Sequence, residues 1–298
     1  KILVKALTPE GFAEKVEAEW QHIKESPTRL TPEAIQRIQA YFTEPDYAAI
    51  DNATDLLASQ RFENRGFDQW LTHNVDTHKK AGYAIVSLTM KKTGTPPGDV
   101  SDKQLEQIAD LADEFSFGEI RVTHQQNVVL ADVRQDRLFE LWQAITPMGF
   151  GTANLNTLTD VICCPGGDYC ALANAKSIPV AEAIQRQFDD LDYLYDLGNI
   201  DLNISGCMNA CGHHHVGNIG VLGVDKKGQE FYQISLGGSS HHDASIGKIL
   251  GPSFARDEMP KVISKIIDVY VDKRTEEETF LDTYRRVGID PFKERVYA

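Results

Sequence analysis

Basic residues are scarce. Lys and Arg total 30 against 44 Asp and Glu, a net charge of −14 over 298 residues, which argues against nucleic acid or an anionic membrane surface as a partner. No apolar run reaches the roughly 18–20 residues of a membrane span, and no charged-then-apolar leader opens the chain, so a cytoplasmic setting is expected. Cysteines number only five, an odd count that makes poor disulfide arithmetic and good metal arithmetic. There is no internal repeat and no low-complexity tract. What remains has the length and composition of one large or two ordinary globular domains.

Four of the five cysteines lie in two short loops. Cys164 and Cys170 enclose Pro165, Gly166, Gly167, Asp168 and Tyr169; Cys207 and Cys211 enclose Met208, Asn209 and Ala210. Four thiolates brought to one point are soft ligands that select zinc or an iron–sulfur cluster over oxygen-loving metals. Paired ligands in structural zinc loops usually stand two to four residues apart. The three-residue gap fits zinc, but the five-residue gap is long for it and suits a cluster. Pro165, Gly166 and Gly167 allow a tight turn and a close approach. One zinc in a purely structural module, aided by His213, His214 and His215, is the competing reading.

These residues resemble the siroheme-dependent sulfite and nitrite reductases, whose 4Fe-4S cluster is held by Cys-x5-Cys and a later Cys-x3-Cys. The resemblance implies Cys164, Cys170, Cys207 and Cys211 as cluster ligands, with Cys211 also bridging to the siroheme iron. Asn209 matches the family's Cys-x-Asn-x-Cys, and Gly212 its glycine after the last ligand; both are expected at the cofactor. Cys163 lies beside Cys164, and the resemblance selects Cys164 through the five-residue gap, leaving Cys163 as a small buried apolar residue.

Along the chain, residues 1–55 read as a helical connector. Phe12, Val16 and Trp20 keep a four-residue step, and Thr31 caps a helix with Pro32 in its first turn. This segment is either a connector to another half or an ordinary appendage. Residues 56–150 read as a ferredoxin-like half-domain. After residues 62–70 come His73, His78 and two lysines, Lys79 and Lys80, a solvated edge or an anion contact. Residues 82–90 form a strand and 93–98 a loop. Ser101 and Gln104 then make a capping box for a helix whose buried stripe is Leu105, Ile108, Leu111 and Ala112. Residues 119–123 and 127–133 form a hairpin around His124, Gln125 and Gln126, and a helix carrying Leu138, Leu141, Trp142 and Ile145 follows. The order β-α-β-β-α is that of a ferredoxin-like half unit. By resemblance, Arg121 and the His124 loop stand where the other copy of that unit binds anions; a structural role is the alternative.

Residues 151–298 read as a mixed α/β domain for the cluster and siroheme, so the fold class is α+β. Residues 157–162 lead into the first cysteine loop, and the helix formers of residues 170–176 place Cys170 at a helix N-terminus, where the dipole favours thiolate. Lys176 is the cation nearest the ligands. A helix over 180–188 and a strand over 200–204 bring in Cys207. The three adjacent histidines, taken as extended, alternate faces, so two at most share a proton path or siroheme contact. Strands at 218–224 and 230–236 form a hairpin. A loop over 237–242, a helix from Pro260, and a last helix over 276–286 stopping at Gly288 complete the chain.

The opening residues 1–7, which lack an initiator Met, and the tail over 280–298 also resemble the family, closest to the C-terminal half of bacterial assimilatory sulfite reductase haemoproteins. The resemblance implies six-electron reduction of sulfite to sulfide, or of nitrite to ammonia. It implies an electron donor that is a flavoprotein reductase or a ferredoxin, and an N-terminal half that supplies the substrate-binding cations. No catalytic residue is assigned within this segment, which alone is expected to be inactive.

Overall fold

The computed structural model describes residues 2–26 and 30–298; Lys1 of the opening segment lies outside them. The chain divides into two compact units, Lys1–Ala49 and Ile50–Ala298. In the first, α1 (Ile2–Ile23) is broken at Thr8, whose φ of 64° and ψ of 162° are non-helical. A residue before proline avoids the α region, and Thr8 precedes Pro9. Its hydroxyl accepts the Gly11 amide at 3.4 Å, restarting the helix as a cap does. In α2 (Pro32–Gln39), Thr31 Oγ1 accepts the Ala34 amide at 3.2 Å, the cap read from the sequence. The helical reading of residues 1–55 is not continuous: residues 43–53 hold neither helix nor strand.

The second unit opens with α3 (Thr54–Glu63), α4 (Arg65–Asn74) and β1 (Val75–Thr77). Asn64 separates the two helices, its Oδ1 accepting the Phe67 amide at 3.1 Å. Then come β2 (Tyr83–Leu88), α5 (Asp102–Phe115), β3 (Arg121–Val122), β4 (Val128–Arg134) and α6 (Leu138–Met148), the order read from the sequence. The sheet is antiparallel in the order β1-β2-β4-β3. Both halves of the Ser101–Gln104 capping box form, at 2.9 and 3.2 Å. Phe67, Trp70, Val86, Leu88, Ile108, Leu111, Leu141 and Ile145 share one core. Leu105 does not join it; it lies a turn ahead of Ile108, the first buried residue of that face, and is 55% exposed.

The remainder comprises β5 (Ile162–Cys163), α7 (Ile178–Gln187), α8 (Leu191–Leu197), β6 (Leu202–Ser205), β7 (Ile219–Lys226), β8 (Gln229–Leu236), β9 (Lys248–Ile249), α9 (Met259–Lys273), α10 (Phe280–Val287) and α11 (Asp290–Tyr297). Its sheet runs β5-β6-β7-β8-β9, parallel across the first three strands and antiparallel across the rest. Lys227 and Gly228, at φ 55° and 81°, form the two-residue turn between β7 and β8, where positive φ at both positions matches the strand twist. Val180 and Ile184 of α7 and Ile263 and Ile267 of α9 share a core with Ile204, Val221 and Ile234. The last expected helix begins at Phe280, not at 276, because Thr279 caps it through the Asp282 amide. After Gly288 the chain re-enters the core as α11, through Phe292 and Val296.

Candidate metal centre

Parallel strands gather ligand-binding loops at their carboxyl ends. β5 and β6 are parallel neighbours, with Cys163 opposite Ile204. Cys164 leaves the end of β5, and Gly206 and Cys207 leave the end of β6, so both cysteine loops start at one edge. The Cys164 amide donates to Ile204 O at 3.1 Å. The Gly206 amide donates to Cys164 Sγ at 3.1 Å, and Ser177 Oγ lies 3.6 Å from the same sulfur. Gly206 O accepts the amides of Asn174 and Ala175 at 2.8 and 3.0 Å. The backbones are so close that a Cβ on Gly206 would stand 2.6 Å from Ala175 O and 2.8 Å from Gly166 Cα. Only glycine fits there.

Within the first loop, the Cys170 amide closes a turn on Gly166 O at 2.9 Å. The helix expected from Cys170 onward is absent; residues 170–177 are turns and coil, and α7 starts at Ile178. The amides of Asn174 and Ala175 are taken by Gly206 O instead of by carbonyls a turn behind, so tertiary bonding overrides propensity. The helix-dipole argument for Cys170 therefore falls. Lys176 sits 3.0 Å from Asp168 Oδ1, which matches its charge.

In the second loop, Cys207 is buried and Cys211 exposed, while Cys164 and Cys170 are half-buried. Two successive turns carry the chain onward: the Ala210 amide donates to Cys207 O at 3.2 Å and the His213 amide to Ala210 O at 2.8 Å, with positive φ at both residues. Asn209 is exposed at the tip. Gly212 is buried against β6, its amide on Ser205 Oγ at 3.1 Å and its Cα hydrogens facing Ile204 O. The histidine run is a turn rather than an extended segment, with the Val216 amide on His213 O. Of the three, only His214 is buried, its ring 4.0 Å from that of His215.

Cys163 is buried, and burial, reinforced by Cys164 alongside, pushes its thiol well above the ordinary range. Its backbone is clamped by Gln126: the side-chain amide donates to Cys163 O and its carbonyl accepts the Cys163 amide, both at 2.8 Å. The hairpin of the first sheet thereby fixes β5, one residue before Cys164. The sequence marked Gln126 only as a turn residue; its partner lies too far along the chain for local pattern to reveal. Lys91 is a second residue the sequence reading missed. It is fully buried, with Nζ 2.7 Å from Gln125 O and 3.0 Å from Asp160 Oδ1. Asp160 also accepts Asn127 Nδ2 at 3.0 Å, which steadies the same loop. Arg121 is exposed and paired with Glu119, which favours the structural alternative for it.

The donors fit an iron–sulfur cluster: four soft thiolates, and loops stitched by amides that approach without side chains between them. A single zinc draws its thiolates to about 2.3 Å of one point. Among the described residues, no three His, Cys, Asp or Glu side chains are gathered to hold one metal ion.

Residues 88–148 match the model of the nitrite/sulfite reductase ferredoxin-like half domain, and residues 155–298 that of the nitrite and sulphite reductase 4Fe-4S domain. The chain is 29% identical over 206 residues to sulfite reductase (ferredoxin) 2 of Mycolicibacterium paratuberculosis, covering 66% of this chain and 37% of that one. It is 28% identical over 202 residues to the ferredoxin–nitrite reductase of Synechococcus elongatus, covering 65% and 37%. An assimilatory-type sulfite reductase of Nitratidesulfovibrio vulgaris is 24% identical over 220 residues, 73% of this chain and 93% of that one. The chain thus spans little more than a third of the first two relatives, and nearly all of the third. Among solved structures, the NirA protein of Mycobacterium tuberculosis superposes with a TM-score of 0.61 at 26% identity, over 74% of this chain and 41% of that one.

Proposed function

The chain belongs to the nitrite and sulfite reductase family, and from that premise we propose that it is the cluster-bearing half of a siroheme enzyme that reduces sulfite by six electrons. Cys164, Cys170, Cys207 and Cys211 are the ligands of its 4Fe-4S cluster. The observation that carries this reading is the junction of the two loops, where the Gly206 amide meets Cys164 Sγ and glycine backbones touch. When bound, the cluster and siroheme supply one-electron transfer and a metal at which the oxyanion loses its oxygens.

The chain's own residues hold and orient. Cys207 is buried and Cys164 and Cys170 are half-buried where the two loops meet. Cys211, the exposed member of the set, would be the ligand offered to siroheme, with Asn209 and Gly212 next to it in the chain. Lys91, Arg121 and Lys176 are each matched by a carboxylate, and we assign the cations that bind and protonate the oxyanion to a partner half. The domains we assign are a connector over 1–55, helical in α1 and α2 and without regular structure over 43–53, the ferredoxin-like half-domain over 56–150 and the cluster and siroheme domain over 151–298. The donor of electrons is a ferredoxin or a flavoprotein reductase, in the cytoplasm.

Nitrite is the second reading, supported by relatives named for each oxyanion. Siroheme titrated into the cluster-loaded chain should bind with a change in its visible spectrum, and C211S should lose the cluster and the siroheme change together, while viologen-driven turnover of sulfite and nitrite by the parent chain stays absent. Turnover at the rate of a full-length reductase would overturn the half-enzyme reading, and the faster oxyanion would identify the substrate.

A further inference from the structure

Ser177 stands at the position before α7 where a serine hydroxyl ordinarily accepts an amide of the first turn. It does not do so here. Its φ of −99° and ψ of −41° are helical rather than extended, the second helical residue is Pro179, which has no N–H, and the Val180 amide bonds Ser177 O at 3.2 Å. The hydroxyl is left for another partner. Among the described residues that partner is Cys164 Sγ, at 3.6 Å, and Ser177 is fully buried. The pocket around it is tight: a Cβ on Gly166 would meet Ser177 Oγ at 2.6 Å, and one on Gly206 would meet it at 3.0 Å.

We propose that Ser177 is a hydrogen-bond donor to the cluster ligand Cys164 and raises the reduction potential of the cluster, an inference that rests on the cluster reading of the four cysteines. A metal-bound thiolate has no proton to give, so the hydroxyl must donate and the sulfur accept. Gly206 N–H, at 3.1 Å, is a second donor to the same sulfur. Reduction adds negative charge to the cluster, and hydrogen bonds to its sulfurs stabilise that charge; they are among the levers that set cluster potentials. Burial strengthens the effect, since little solvent screens it. Ser177 is a positioning residue in this role, acting through Cys164.

The test is a reductive titration of the cluster, followed by electron paramagnetic resonance, in the full chain and in S177A and S177T. S177A should make one-electron reduction about tenfold less favourable, a fall of about 59 mV, with iron content unchanged. S177T, which keeps the hydroxyl, should stay within about twofold of the parent. A potential in S177A equal to the parent's, or one in S177T that falls as far as in S177A, would overturn the proposal. If S177A fails to hold the cluster, pulsed spectroscopy of the parent decides: exchange into D2O should remove two proton couplings at the cluster, and a single lost coupling would leave Gly206 as the lone donor. A parent chain with no iron and no acid-labile sulfide would instead overturn the cluster reading beneath it.

Discussion

Gly206→Ala probes the junction of the two cysteine loops directly. The added methyl would stand 2.6 Å from Ala175 O, 2.8 Å from Gly166 Cα and 3.0 Å from Ser177 Oγ. Two of these three atoms are backbone, so relief requires moving a loop rather than rotating a side chain. The loop that must move is held by Asn174 and Ala175 amides on Gly206 O. Overpacking of this kind costs about 1–3 kcal/mol. At about 2–4 °C per kcal/mol for a unit of this size, the thermal midpoint should fall by about 2–12 °C. The same displacement carries Gly206 N–H away from Cys164 Sγ, so cluster occupancy should fall further than stability does. Calorimetry of the apo chain and visible absorption of the reconstituted chain read the two effects separately. A variant with parental melting and full absorption would refute the claim that the loops meet backbone to backbone.

Three other outcomes follow from particular contacts. Gln126→Ala removes both hydrogen bonds to the Cys163 backbone and leaves its N–H and C=O unpaired, which should lower stability by about 1–3 kcal/mol in urea unfolding and speed loss of the cluster's absorption. Cys164→Ala should abolish that absorption and Cys163→Ala should leave it; in the apo chain, Cys163 should be the last thiol alkylated, since burial holds its proton. Glu278 takes a paired hydrogen bond from Arg286, then the Thr275 amide, and its carboxyl is held down at about 2 against an ordinary 4.5. A depressed carboxyl stabilises the fold above its unfolded value and loses that contribution as pH falls through the folded one. The stability gap between the parent and Glu278→Gln should therefore be complete above pH 4.5 and close by about pH 2, and a gap that persists there would contradict the pairing.

Local chemistry made much of this molecule readable. Alternation in β2, the Ser101–Gln104 box and the four-residue spacing of α6 each act within a few residues, and so does the cysteine spacing. What escaped was set by long-range hydrogen bonds. Residues 170–176 carry helix formers, yet a carbonyl from another loop claims two of their amides. Gln126 has the composition of a hairpin turn, and its role depends on Cys163, which local pattern cannot reach. Ser177 before Ile178 and Pro179 looks like an ordinary cap, yet the fold turns its hydroxyl toward the Cys164 sulfur. α11 rests on Phe292 and Val296, too few apolar positions to mark a helix by periodicity.

Anaerobic reconstitution of the full chain, with iron, acid-labile sulfide and zinc measured per polypeptide, tests the central assignment most directly. Four irons and four sulfides per chain are expected from the 4Fe-4S domain, lost on replacing any of Cys164, Cys170, Cys207 or Cys211. One zinc per chain without sulfide, or full iron in the absence of those cysteines, would contradict it.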